Sequence, residues 1–195
     1  SAVPVRHAEQ ERPREEIAAV PVDADVVSLA VGPRGSLVVA VHASGASILN
    51  MPNKSLLLRA QAPAPIRAVA VGPDLRVAMA TGPALQLLSF SAQGPTSNAF
   101  KVDPDITGLA YSTNGRHIAF TRTGTRGDRQ VEVHRVDDMR RVARISFNLN
   151  PEIPVMAFGP GDDNITVMLF SQGKFLFPYR LLEQKDQIGR ASCRE

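Results

Sequence analysis

The chain has 195 residues, of which 44% are hydrophobic and 21% are charged, and its formal net charge is +3. This balance is ordinary for a globular protein and excludes a disordered or collagen-like chain. The sequence contains no apolar run of about 18 residues, so it predicts no membrane-spanning segment.

A segment that predicts a buried strand recurs along the chain. Its copies begin at residues 26, 66, 106 and 153, so they are 40, 40 and 47 residues apart. Alternating side-chain direction puts the alanine of each copy on one face of the strand and two bulky residues on the other. We expect the alanine to line a crowded centre and the bulky pair to pack between units. The four triplets are Leu29-Ala30-Val31, Val69-Ala70-Val71, Leu109-Ala110-Tyr111 and Met156-Ala157-Phe158.

Apolar runs between turn residues predict further strands in each unit. They lie at 37–41, 46–51 and 55–60 in the first unit, and at 77–80, 85–90 and 98–102 in the second. The third unit has runs at 117–123, 130–136 and 141–147, and the fourth has runs at 165–170 and 175–181. Four short strands in each period of about 40 residues predict an all-β protein. The expected architecture is a β-propeller with about four four-stranded blades of an incomplete ring.

The expected blades span residues 25–65, 66–105 and 106–152, and a partial or final blade spans 153–187. Residues 1–24 are interpreted as the end of a preceding blade or an N-terminal extension. Residues 188–195 resemble a translated sequencing adapter, and we expect them to be an artefact rather than part of the natural protein. They contain Cys193, the one cysteine of the chain, so the remaining sequence offers no thiol for a disulfide, a metal or nucleophilic catalysis.

The third unit carries a resemblance to a known family. Its segment Tyr111-Ser112-Thr113-Asn114-Gly115-Arg116-His117-Ile118-Ala119-Phe120 resembles the turn between the first two strands of a blade in WD40 and TolB-like propellers. Residues 131–142 resemble their third strand, turn and fourth strand. The resemblance implies a divergent propeller across residues 26–181. Because the chain has no tryptophan, the hydrogen-bond network typical of WD40 repeats is not carried over to any residue.

The third unit also concentrates arginine residues. Arg122, Arg126 and Arg129 are predicted to occupy the loop that joins its second and third strands, where they form a possible partner-binding loop. Guanidinium groups there could pair with carboxylates or phosphates of a partner. The alternative interpretation is a solvated loop with local ion pairs, since runs of charge are commonly exposed.

Motifs of catalysis and metal binding are absent from the sequence. The four histidines have no H-E-x-x-H spacing, and no G-x-S-x-G elbow or P-loop is present. Asp162-Asp163-Asn164 lacks the alternating spacing of a calcium loop and is interpreted as a turn. We therefore predict no catalytic, cofactor-binding or metal-binding residue. Nucleic-acid binding is disfavoured because only 5% of the residues are aromatic and no run of basic residues has aromatic residues interleaved with it.

Two functions remain open. The leading hypothesis is a WD40-like propeller scaffold that mediates protein–protein interaction without catalysis, because loops on rigid scaffolds commonly carry recognition. The alternative is a TolB-like propeller that is accessory to a hydrolase or peptidase domain outside this sequence.

Overall fold

A computed structural model describes residues 22, 25–82, 84–102, 106–123 and 129–147, and the strands at 155–158, 165–171 and 175–181. These residues form strands throughout, apart from a single 3-10 turn at Pro33–Gly35. The strands of the first two units are β1 (Val26–Val31), β2 (Leu37–His42), β3 (Gly45–Asn50), β4 (Ser55–Gln61), β5 (Ile66–Gly72), β6 (Arg76–Thr81), β7 (Ala84–Ser91) and β8 (Gly94–Lys101). Those of the last two are β9 (Gly108–Tyr111), β10 (His117–Thr123), β11 (Arg129–Arg135), β12 (Arg141–Phe147), β13 (Val155–Phe158), β14 (Ile165–Ser171) and β15 (Phe175–Leu181).

Each strand pairs antiparallel with the next one in its unit, which produces four separate meanders. The first three sheets have four strands each, and the described part of the fourth has three. Most strands begin and end within one residue of the predicted limits. The largest exception is β8, which begins at Gly94 rather than at 98 because its polar first residues pair with the end of β7. Strands β9 and β13 each begin two residues after the predicted start of their repeat. The all-β prediction is confirmed.

The sheets pack face to face around their first strands. Strand β5 contacts β1 on one side and β9 on the other, and β9 also contacts β13. The outer strands of each sheet lie away from this shared line of first strands. This is the arrangement of propeller blades, and the predicted propeller is confirmed. In the described residues the four sheets form an open arc.

Bulky residues of the second, third and fourth repeats pack against the preceding sheet. Val69 and Val71 belong to the core between the first and second sheets. Tyr111 packs against the second sheet, and Phe158 packs against the third. In the first repeat the expected role of the alanine was wrong, because Ala30 packs into the core between the first two sheets rather than lining a centre.

A glycine after the bulky pair allows this close approach. A Cβ atom added to Gly72 would lie 2.8 Å from Cγ of Tyr111, and one added to Gly32 would lie 2.7 Å from Cγ1 of Val71. Both distances are shorter than real Cβ contacts. The Gly-Pro turn of one repeat therefore receives the last bulky residue of the next repeat, which explains why the two features recur together in the first two units.

One face of the first sheet is open. Its bulky residues Val27, Leu29 and Val31 are 68%, 64% and 61% exposed, whereas Val71, the counterpart of Val31 in β5, is partly buried against the first sheet. Residues 1–21, 23 and 24, which include most of the predicted end of a preceding blade, lie outside the described residues, as do residues 182–195. In the part of the chain that the structure describes, no helix is long and apolar enough to cross a membrane.

Candidate interaction site

The arginines predicted for the third-unit loop lie on different surfaces. Arg122 lies in β10 and Arg129 begins β11, so they flank the loop, and Arg126 lies outside the described residues. Arg122 pairs with Gln130 across the two strands, which puts Arg129 on the opposite face of the sheet. Arg129 shares its face with Val131, which packs in the core of the third sheet on the side of Phe158. The structure therefore does not bring Arg122 and Arg129 together.

Arg122 instead joins an ion cluster centred on a buried carboxylate. Glu132 lies in β11, and its side chain is only 7% exposed. Its Oε1 accepts a hydrogen bond from Nη2 of Arg122 at 3.0 Å and another from Nη1 of Arg141 at 3.2 Å. Arg144 Nε lies 4.0 Å from the same oxygen. Together with His134, these residues form what we call the Glu132 cluster: Arg122, Glu132, His134, Arg141 and Arg144.

The register of the strands explains why these side chains meet. Glu132 lies opposite Phe120 in β10 and opposite Arg144 in β12, so all three project from one face. That face is the one directed at the second sheet, because Phe120 packs with Ala80 there. A register shift after Val133 brings Arg141 opposite His134 and onto the same face. The face of the third sheet that packs against the second sheet is thus apolar at the inner strands and charged at the outer strands, where the cluster lies.

His134 is held at both ring nitrogens. Its Nδ1 lies 2.8 Å from the carbonyl oxygen of Met139, and its Nε2 lies 3.1 Å from Oε2 of Glu132. The ring also packs against Phe120, with the two ring centroids 4.8 Å apart. The described cluster therefore places three guanidinium groups and a histidine around one carboxylate.

The carboxylate of Glu132 is ionised across the ordinary pH range. Burial by itself would raise the pKa of Glu132, but the hydrogen bond from His134 and the charges of Arg122 and Arg141 outweigh burial. The net result lowers the pKa from 4.5 to about 2. The cations therefore stabilise the charged form of a buried acid, and the acid in turn fixes the positions of the cations.

The other described acids of this sheet do not neutralise the surplus charge. Asp138 accepts hydrogen bonds from the side chain of Arg135, and these bonds hold the pKa of that carboxyl well below its usual range. The backbone N–H of Arg140 also donates to Asp138, at 3.1 Å. Asp138 is therefore used in closing the turn between β11 and β12. Arg141 and Arg144 remain 50% and 42% exposed at the outer strand.

A second polar contact lies on the first sheet. His42 Nδ1 is 3.3 Å from Ser44 Oγ, and its Nε2 is 3.5 Å from Ser47 Oγ. Ser47 is 3% exposed, so a substrate carbonyl cannot reach its hydroxyl group. This pair does not form a usable nucleophile and base. Among the described residues, no group of three or more His, Cys, Asp or Glu side chains is placed to hold a metal ion.

Arg122 was predicted from the sequence as a candidate, but Glu132, to which it is bonded, was not. Glu132 is the one acidic residue of β11 and lies between Val131 and Val133, in a strand whose other residues are Arg, Gln and His, and this lone acid was the signal that could have identified the cluster. The arrangement can bind anions, because guanidinium groups present several donors in a fixed plane that matches a carboxylate or a phosphate.

Comparisons with known proteins support the fold. No protein-family model matches the chain, and no characterised protein matches it by sequence. Among solved structures, it is similar to the β-propeller domain of Cps50 (Swd1) from Myceliophteria thermophila, with 10% identity and a TM-score of 0.61. That match covers 87% of this chain and 55% of the other. It is also similar to hydrazine synthase from Kuenenia stuttgartiensis, with 13% identity, a TM-score of 0.54, and coverage of 85% of this chain and 52% of that one.

These likenesses establish a class of fold. The chain has a β-propeller fold, as its successive antiparallel sheets indicate independently. It spans about half the length of both solved chains.

Proposed function

We propose that this chain is a WD40-like propeller scaffold that mediates protein–protein interaction and has no catalytic activity of its own. The observation that carries this proposal is the Glu132 cluster. A buried carboxylate accepts hydrogen bonds from Arg122 and Arg141 at the surface of a hydrogen-bonded sheet, which restrains these two guanidinium groups before any partner arrives. Arg144 lies 4.0 Å from the same carboxylate and is held less closely. Preorganised polar groups on rigid elements lose little conformational entropy on binding, which favours recognition.

The test is proximity labelling in cells with the tagged full-length gene product, followed by binding measurements with the purified candidate partners. The matched control is an unrelated all-β domain with the same tag and expression level. We expect a small set of proteins that are labelled repeatedly by the propeller alone and that bind it directly. Finding no such protein under several growth conditions, while the purified product turns over a substrate, would contradict the proposal.

A second candidate function is a TolB-like propeller accessory to a hydrolase or peptidase domain. The likeness to hydrazine synthase supports this second candidate, because the similar region covers 52% of that chain and so forms only part of an enzyme. The uninterrupted gene distinguishes the two functions. A coding sequence that continues into a hydrolase domain with a nucleophile elbow would support the accessory function, and the propeller would then be expected to alter that domain's substrate range when deleted.

A further inference from the structure

The outer strand of the third sheet combines an open edge with surplus positive charge. Strand β12 ends the sheet, and in the described residues its one hydrogen-bonded neighbour is β11. Its other edge therefore presents a row of backbone donors and acceptors, which is the surface to which an extended chain can add as a further strand. Strands β4 and β8 also end their sheets, but each carries a single basic residue, Arg59 or Lys101.

The charge on β12 faces the place that an added strand would occupy. Glu132 and Arg144 are directly opposite across β11 and β12, and His134 and Arg141 are opposite in the neighbouring row. A residue added beyond β12 in either row would have its Cβ atom about 5 Å from that of the arginine. Arg144 is the more loosely held of the two, at 4.0 Å from Glu132, so it can turn toward an anion without breaking a close hydrogen bond.

We propose that the β12 edge binds an extended acidic segment of a partner protein, in which Asp or Glu side chains at alternate positions meet Arg144 and Arg141. The added strand would extend each row with the opposite charge, since the order across the first row becomes Glu132, Arg144 and then an acidic residue. This inference rests on the proposed scaffold function, because it names the class of partner that the same site accepts.

The arrangement selects against other occupants. A second copy of β12 would place arginine opposite arginine, and like charges directly across a pair of strands are destabilising. Single-stranded nucleic acid binds through bases that stack on exposed aromatic rings. Phe120, the aromatic residue whose ring packs against His134 of the cluster, is 3% exposed and offers no such surface. An acidic peptide can satisfy both features, because its side-chain carboxylates pair with the arginines and its backbone hydrogen-bonds to the edge of β12.

The experiment measures fluorescence anisotropy of a labelled ten-residue peptide in which Glu alternates with Thr. The matched peptide has Gln in place of each Glu. The protein is the full chain, as wild type, as Arg141→Glu/Arg144→Glu, and as Lys101→Glu, which reverses one positive charge on the edge strand β8. Hydrogen exchange of the β12 amides is followed with and without peptide, because strand addition protects backbone groups and simple ion pairing does not.

We expect the double reversal to weaken binding of the acidic peptide by about tenfold or more, since losing two charge-assisted contacts exceeds the free energy of one decade in affinity. Lys101→Glu should change it by less than about twofold, and the Gln peptide should bind as weakly as the double variant does. Amides of β12 should become protected when the acidic peptide is bound. If the double reversal fails to fold, as judged by its thermal melt, Arg141→Gln/Arg144→Gln decides the question in the same assay.

Wild-type affinity in a folded double variant would overturn the inference. An oligothymidine of equal charge that displaces the peptide with equal or higher affinity would also overturn it, because the site would then be a phosphate surface. Binding without protection of β12 would exclude strand addition. If proteins captured through proximity labelling still bind the double variant, this site is refuted while the scaffold function stands; if no partner is captured at all, the scaffold function fails independently of the peptide result.

Discussion

Replacing Glu132 with glutamine should destabilise the fold by about 3 kcal/mol. The carboxylate accepts hydrogen bonds from Arg122, Arg141 and His134, and each bond to a charged group is worth roughly 1.5–3 kcal/mol. Glutamine keeps the shape but leaves the cations without a counter-charge beside a side chain that is 7% exposed. The pKa gives the same size: a fall from 4.5 to about 2 corresponds to about 3 kcal/mol. This figure is an upper bound because Arg141 is half exposed and its attraction is screened by solvent.

Urea unfolding of the full chain measures this loss. With a slope of about 2 kcal/mol per molar urea, the midpoint should fall by about 1–1.5 M at pH 7. The pH dependence gives a second signature. Since the folded pKa of Glu132 lies below the unfolded value of 4.5, its contribution is complete above about pH 4.5 and is lost as the pH falls toward 2. Wild type and Glu132→Gln should therefore converge in acid.

The matched control is Asp137→Asn, which removes an acidic charge from an exposed position in the turn of the same sheet. It should shift the midpoint by less than about 0.3 M, since exposed substitutions rarely exceed about 0.5 kcal/mol. The reasoning would be refuted if Glu132→Gln shifted the urea midpoint at pH 7 by no more than the control does. It would also be refuted if the difference in stability between wild type and Glu132→Gln persisted unchanged to pH 2.

Three other predictions follow from the packing of the sheets. Gly72→Ala should cost about 2 kcal/mol in urea unfolding because the new Cβ would lie 2.8 Å from Tyr111, whereas Gly82→Ala, with its nearest atom 3.5 Å away, should cost little; equal losses would contradict the account. The exposed apolar face of the first sheet should allow the wild-type chain to self-associate, and Leu29→Thr/Val31→Thr should reduce that association in sedimentation velocity while leaving the melting temperature nearly unchanged; equal association of the two proteins would contradict this prediction. Burial raises the pKa of Tyr111 to about 12 against a smaller opposing effect of Arg76. The phenolate absorbance of Tyr111 should therefore appear well above pH 10, and the free energy of unfolding should fall as the pH rises past 10. A Tyr111→Phe variant that still shows this absorbance change well above pH 10 would refute the assignment.

The fold could be predicted from the sequence because its signals are local and repeated. Alternation of apolar residues fixed the faces of β10 and β12, and their limits were predicted to the residue. The missed start of β8 has a physical reason. Residues 94–97 are Gly-Pro-Thr-Ser, which indicate a turn, but the partner strand β7 supplies hydrogen bonds that extend the pairing to Gly94. Cross-strand pairing therefore overrode local preference.

The candidate site could be predicted only in part, because which charges meet depends on the register of three strands. Counting along the sequence made Arg122 and Arg129 neighbours of one loop. Pairing across the hairpin gives them opposite faces, since Arg122 lies opposite Gln130 and alternation then turns Arg129 away. Arg144, which is 22 positions from Arg122 in the chain, shares a face with it because both project toward Glu132. No local pattern contains that information.

The position of Glu132 argues that its role extends beyond stability. Replacing a buried ion pair with apolar residues of similar volume is commonly neutral or stabilising, so the sheet could pack without a charge at this point. Flanking Val131 and Val133 lie on the opposite face of the strand, but the inner part of the row that contains Glu132 is already apolar at Phe120. A carboxylate at this position can hold cationic side chains of the outer strand in place, whereas a leucine could not. This position of the carboxylate supports the proposal that the surplus of positive charge on β12 binds an acidic segment of a partner.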